Sequence, residues 1–216
     1  SGELDLAFSP ARLEDFGSIS LRMAMSGDQI VLNNTQIMGN VFGISRMKSD
    51  GTYDDTFDPE VARYGNIKLA DVHQDKLLVA GDFIRMNGME TYGVARLSLN
   101  GELDESFRLK ENKGIVYQLK VLDDDNVLVT TYKNFFKLDS QGNERPEFAW
   151  APFKFQHQVI KFRMLSDGKI ITADPNLVYR LNADGSEDPS FDIEDICCVR
   201  STAFDFDVQG NNVIWG

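Results

Sequence analysis

The chain has 216 residues, 42% of them hydrophobic and 26% charged, with a formal net charge of −12. It is long enough to bury a sizeable core, and its negative field argues against nucleic acid and anionic membrane surfaces as partners. No run of about 18 apolar residues is present to cross a bilayer as a helix, and the opening "SGELDLAF" has no signal-peptide character, so membrane insertion is not expected.

In chain order the predicted elements repeat as one unit. The first unit has an alternating run, Ile19, Leu21, Met23, then the turn "SGDQ", an apolar strand around Ile30, and a third strand ending in Arg46-Met47. A turn at Asp50-Gly51 and a brief fourth strand closing on Phe57 complete it. The second unit turns at "HQDK", has Leu77 in its apolar strand, ends its third strand in Arg96-Leu97 and closes on Phe107. The third uses "DDDN", Val127, Lys137-Leu138 and Phe148. The fourth runs from Ile160, Phe162, Met164 through "SDGK", Ile170 and Arg180-Leu181 to Phe191, and Phe204, Phe206, Val208 and "GNNVIWG" begin another. Period-two alternation rich in Val, Ile and Phe, bounded by Asp/Asn/Gly turns, predicts half-buried strands. No helical period of useful length is present.

The columns are tight. The anchors Phe8, Phe57, Phe107, Phe148 and Phe191 are 49, 50, 41 and 43 residues apart, and six residues before each stands Gly2, Gly51, Gly101, Gly142 or Gly185. Three before each is Asp5, Asp54, Asp104 or Asp188, with Arg145 as the exception. Repeats of roughly 43 to 50 residues with three or four antiparallel strands predict an all-β fold, a β-propeller, as a single domain over residues 1–216. About five blades are visible, the fifth split between the ends or incomplete. The chain is expected to be an excerpt from a longer array, the alternative being a ring closed by a reduced blade.

"VARLSLNGELDESF" and "RLNADGSEDPSF", with "DGKIITAD" and "DKLLVAGDFIRMNG" upstream, resemble the delta-60 repeat, a propeller-type repeat common in large bacterial surface and secreted proteins. The resemblance covers essentially the whole chain. The third unit departs most, with Gln141 and Arg145 in place of aspartates. The resemblance implies a bacterial surface or secreted setting, with a virion as the alternative.

The repeated residues read as structural. The turn glycine permits the reversal, the phenylalanine is expected to plug the gap between neighbouring sheets, and the aspartate to accept hydrogen bonds from its own turn and meet the arginine across the hairpin. Binding is expected where unit length varies. From second-strand residue to third-strand base the count is 16, 19, 10 and 10, so the extra residues are "NNTQIMGNVFG" and "GDFIRMNGMETYG". In the latter, Phe83, Arg85, Met86, Asn87 and Tyr92 mix aromatic, cationic and amide groups as interaction surfaces do, and they are the candidate binding residues.

Catalytic and metal-ligating residues are not expected. His73 and His157 lack partners at metal-ligand spacing, the neighbours Cys197 and Cys198 lack an activating histidine, and "LDDDN" reads as a solvated turn. No cofactor motif is present. The expected function is a noncatalytic propeller, a structural or protein- or glycan-binding module of a multi-subunit surface or virion assembly. The alternative is a propeller-type glycan-active enzyme using channel carboxylates.

Overall fold

A computed structural model describes residues 22–26, 29–37, 41–57, 59, 66–132, 134–148, 150, 161–173, 178–191, 206–209 and 212–215. Phe8, His157 and the cysteine pair lie outside them. The described residues form strands and turns without helix. Two compact units are formed, Ser1–Val116 with Gln141–Asn143 and Tyr117–Ser140 with Glu144–Gly216.

In unit 1, β1 (Arg22–Ser26), β2 (Gln29–Ile37) and β3 (Val41–Met47) make one antiparallel sheet. A second sheet has the order β4 (Ile67–His73), β5 (Lys76–Gly81), β8 (Val94–Ser98), β9 (Leu103–Arg108), while β6 (Arg85–Met86) and β7 (Met89–Glu90) pair as a separate arm. In unit 2, β10 (Val116–Val121), β11 (Val127–Thr131) and β12 (Phe135–Leu138) form one sheet. Next come β13 (Lys161–Met164), β14 (Ile170–Ala173) and β15 (Val178–Leu181), then the pair β16 (Phe206–Gln209) and β17 (Asn212–Trp215). Every described sheet follows chain order, and apart from the β6–β7 arm there is one sheet to a repeat.

The sequence landmarks are cross-strand partners. The apolar second-strand residue faces the residue after the base in four repeats: Ile30 with Met47, Leu77 with Leu97, Val127 with Leu138, Ile170 with Leu181. Because side chains alternate with period two, this one register commits both strands to the same inward face. Leu77, Leu97, Val127, Leu138, Ile170 and Leu181 are all buried.

The fourth strand is shorter than expected. It starts at the same register in every repeat, but only β9 extends beyond one pair, from Leu97 opposite Leu103 to Ala95 opposite Arg108. Elsewhere it is a single bridge, Met47 with Tyr53, Leu138 with Glu144 and Leu181 with Glu187. In those repeats the chain leaves the ladder after one more bond, such as Asp188 N–H to Arg180 O at 2.9 Å, and turns to place its phenylalanine.

The turn before it is a three-residue hairpin loop with glycine in the left-handed position. In the fourth repeat Gly185 N–H donates to Asn182 O at 2.9 Å and Asn182 N–H to Ser186 O at 2.8 Å, with φ 84° at Gly185. Asp184 is not among the residues with positive φ. The loop is therefore a turn plus glycine bulge, and not a two-residue turn in which both members of "DG" need positive φ.

Candidate functional site

The repeated signature builds the same cluster three times. Arg46 Nε donates to Asp54 Oδ2 at 2.8 Å, Arg96 Nε to Asp104 Oδ2 at 3.0 Å, and Arg180 Nε to Asp188 Oδ2 at 2.7 Å. Each guanidinium also lies over the anchor ring of its own repeat, 4.8 Å from Phe57, 4.6 Å from Phe107 and 4.8 Å from Phe191. The second carboxylate oxygen closes the turn: Asp54 accepts from Thr56 N–H and hydroxyl, Asp104 from Ser106, and Asp188 from Ser190. A carboxylate saturated by an arginine and two turn donors fixes the turn, and the turn aims the phenylalanine.

These bonds hold the acids ionised. The Thr56 hydroxyl, with Arg46, lowers Asp54 to about 2. Lys169 Nζ at 2.7 Å, with Ser190 and Arg180, puts Asp188 far below the usual carboxylate range. Burial pushes Asp104 up, but the Ser106 hydroxyl and Arg96 outweigh it and leave it lowered. The third repeat rearranges the charges. Arg145 stands in the aspartate column and pairs with Glu147 at 3.2 Å, while Lys137 approaches Asp124 of the "DDDN" turn at 3.7 Å.

Phe57 and Phe148 join neighbouring repeats as expected, while Phe191 is half-buried. Phe57 and Phe107 are buried, and Phe57 packs with Val31 and Ile44 of the first sheet and Ile67, Leu77 and Leu97 of the second. Phe148 lies edge-on to Phe135 at 5.2 Å in a cluster with Phe162, Ile170 and Leu181 of the next sheet. Two of the rings, Phe57 and Phe148, have a floor in the glycine turn of the following repeat. A methyl group at Gly101 would touch the Phe57 ring at 3.4 Å, one at Gly185 would press into the Phe148 ring at 2.9 Å, and one at Gly142 would meet the Arg108 backbone, beside Phe107, at 2.8 Å. The glycine thus serves its predecessor's anchor as well as its own turn.

The five candidate binding residues separate. Phe83 and Met86 are 1% and 0% exposed and belong to the unit 1 core with Phe57 and Leu77, so they are not surface groups. A long connection can bury its apolar residues by folding back on its own sheet, and this one does: Gly81 N–H donates to Gly93 O and Gly93 N–H to Phe83 O. Asp82 anchors the other side by accepting from Asn66 N–H, with Asp82 N–H donating to Asn66 O at 3.1 Å. Asn87 sits at φ 47° in the β6–β7 turn and its amide donates to Gly101 O at 3.2 Å. Arg85 is exposed and 3.6 Å from Glu90, whose other oxygen accepts from the half-buried Tyr92 hydroxyl at 3.3 Å. Ile84, not among the five, is 46% exposed. The arm therefore presents Ile84, Arg85 and Glu90 on a buried base of Phe83 and Met86.

Sequence reading missed Gln118. Its amide bonds the backbone of the next repeat's first strand twice, Nε2 to Phe162 O at 2.9 Å and Phe162 N–H to Oε1 at 2.8 Å. One amide residue in the otherwise apolar and basic run "VYQLKV" was the available signal. Among the described residues no group of three or more His, Cys, Asp or Glu could hold a metal ion, and no helix is long and apolar enough to cross a membrane.

The profile of a family described as a domain of unknown function (DUF5122) β-propeller matches residues 75–107 and 175–191. Both stretches end on an anchor phenylalanine. Among solved structures, the chain is similar to the WD40 β-propeller domain of Doa1, with TM-score 0.55 and 12% identity over 77% of this chain and 52% of that one. The chain is a β-propeller repeat protein. A provisionally assigned gluconolactonase matches with TM-score 0.45 and 18% identity, over 74% of this chain and 58% of that one. A protein of unknown function from Bacteroides caccae matches with TM-score 0.35 and 13% identity, over 79% and 81%. The propeller spans about half the length of the Doa1 domain. No curated protein matches it.

Proposed function

We propose that this β-propeller is a noncatalytic module of the delta-60 type, holding a protein or glycan partner within a larger bacterial surface, secreted or virion assembly. The observation that carries the reading is the internal commitment of the signature: arginine, aspartate, serine or threonine and phenylalanine bond one another in three repeats. A repeat whose charged groups are satisfied from within encodes a scaffold, and recognition falls to what varies between repeats. Here that is the β6–β7 arm, with Ile84, Arg85 and Glu90 on its outer side.

Acid chemistry finds little support. Every described carboxylate whose ionisation is clearly perturbed is lowered, Asp50, Asp54, Asp104, Glu111, Asp124, Asp184 and Asp188. A glycoside-cleaving general acid needs the opposite shift.

The test pairs a panel of bacterial surface glycans and candidate assembly proteins with a panel of glycoside and ester substrates. Binding by the native chain that is lost in Ile84→Ser/Arg85→Ser, with an unchanged melting temperature and no turnover, supports the reading. Turnover abolished by replacing one carboxylate would replace it with the enzymatic one.

A further inference from the structure

An asparagine followed by glycine carries a reaction within itself, because the glycine nitrogen can attack the asparagine Cγ and expel the side-chain amide. The chain places Asp or Asn before Gly at Asp50-Gly51, Asn87-Gly88, Asn100-Gly101, Asp167-Gly168 and Asp184-Gly185. In four of these pairs the glycine N–H, which must give up its proton for the attack, is already committed. Gly51 donates to Lys48 O at 2.9 Å, Gly101 to Ser98 O at 3.0 Å, Gly168 to Leu165 O at 3.0 Å and Gly185 to Asn182 O at 2.9 Å. Gly88 N–H has no such bond among the described residues. Gly88 is exposed in the β6–β7 turn at φ 76°, and no atom lies within 4 Å of where a Cβ would stand.

The Asn87 amide is lightly held. Its Nδ2 donates to Gly101 O at 3.2 Å, but its Oδ1 is buried and accepts no hydrogen bond. A buried carbonyl without a donor raises the free energy of the side chain where it sits, and swinging out toward Gly88 relieves that cost. Asn100 precedes the opposite case, since Gly101 is buried against the Phe57 ring as well as bonded through its nitrogen.

We propose that Asn87-Gly88 is a self-modification site, which deamidates with water as its only co-reactant and thereby releases the β6–β7 arm from the Gly101 turn. The bond from Gly88 N to Asn87 Cγ forms and the Cγ–Nδ2 bond breaks, so the Gly88 proton and the amide nitrogen depart together as ammonia and leave a cyclic imide. Water then adds across one of the two imide C–N bonds. Opening at Cγ leaves aspartate on the original backbone, and opening at the Asn87 backbone carbonyl leaves isoaspartate, with the backbone rerouted through Cγ. Either product puts an acceptor where the amide donor faced Gly101 O, and two acceptors cannot bond. Isoaspartate also lengthens the turn between Met86 and Met89, which stand opposite each other in the arm. The chemistry is the same whether or not the arm holds a partner, so peptide mapping decides this proposal and the binding panel decides the other.

The experiment incubates the full chain at mildly acidic and mildly alkaline pH and follows both Asn-Gly peptides by mass spectrometry, with fragmentation that tells aspartate from isoaspartate. Asn87 converts at least about tenfold faster than Asn100 in the folded chain, and faster at the higher pH. In urea the two convert at comparable rates, because the difference lies in the fold. Gly88→Ala slows the reaction at Asn87 about tenfold or more, with circular dichroism melts confirming a retained fold. Asn87→Asp, which writes in one product, speeds hydrogen exchange at Thr91 N–H, bonded to Ile84 O at 3.2 Å, about tenfold or more. The proposal is overturned if folded Asn100 converts as fast as folded Asn87, if Asn87 stays intact in the folded chain over the time that consumes it in urea, or if Asn87→Asp leaves exchange at Thr91 unchanged.

Discussion

Gly185→Ala separates the two roles assigned to the turn glycine. The backbone there has φ 84°, and the added methyl would sit 2.9 Å from Phe148 Cζ and 3.0 Å from Cε1 and Cε2. Carbon atoms rest about 3.5–4.0 Å apart, so the ring must withdraw by roughly 0.5–1 Å or the turn must open. The ring has little freedom, being 8% exposed and edge-on to Phe135. Overpacking of this kind costs about 1–3 kcal/mol, and alanine in the left-handed region about 1 kcal/mol more. Gly168 is the control: its φ is 83°, yet the nearest atom to an added methyl is Ala183 Cβ at 3.9 Å. Gly168→Ala should therefore show the backbone cost alone. Urea unfolding of both variants should place Gly185→Ala about 1–3 kcal/mol below Gly168→Ala. Phe148→Leu in the Gly185→Ala background should cost less than it does alone, because the two residues share one space. Equal costs for the two glycines within about 0.5 kcal/mol would refute the idea that the turn is a floor for the preceding ring.

Three further outcomes are expected. Phe107→Ala, at a ring with 0% exposure under the Arg96 guanidinium, should destabilise by about 3–5 kcal/mol in denaturant unfolding; a loss below about 1 kcal/mol contradicts its role as an anchor. Asp54 is lowered to about 2 from an unfolded value of about 3.9, so the unfolded chain binds more protons through that window. Its contribution is complete above about pH 4 and is lost as the pH falls toward 2, and Asp54→Asn should flatten the fall of the urea midpoint over that range. Gln118→Leu should cost about 1–3 kcal/mol by leaving the Phe162 backbone groups unpaired, with faster amide exchange at Phe162; unchanged exchange there would show that the clasp is not a real constraint.

What could be read from the sequence was whatever recurs at fixed spacing. The second-strand residue and the residue after the base proved to be direct partners in four repeats, because hairpins of similar geometry preserve offsets. The Arg-Asp pairing across the hairpin was legible for the same reason. Phe83 and Met86 are buried, which the sequence leaves open because an aromatic and a thioether in a long connection look alike whether they recruit a partner or fill the base of their own loop. Gly81 held a clue, since an added methyl there would collide with Asn66 O, which marks a connection pressed against its sheet. The brief fourth strand was legible in position but not in extent.

The seating of Phe57 on the Gly101 turn and of Phe148 on the Gly185 turn gives the array a direction. A structural repeat, counted as one sheet, is not the segment that can be exchanged as a unit, because its phenylalanine is fitted to a glycine some 40 residues onward and its own glycine to a phenylalanine behind it. Stability in such arrays resides in nearest-neighbour interfaces as much as in the repeats themselves. A duplication or graft that cuts between an anchor and the turn beneath it must recreate that fit with a stranger. One that cuts between a turn glycine and its own anchor, as within Gly101 to Phe107, carries each phenylalanine across together with its floor. The unit of inheritance is therefore out of phase with the unit of architecture, running from one phenylalanine to the next glycine across the boundary between two blades.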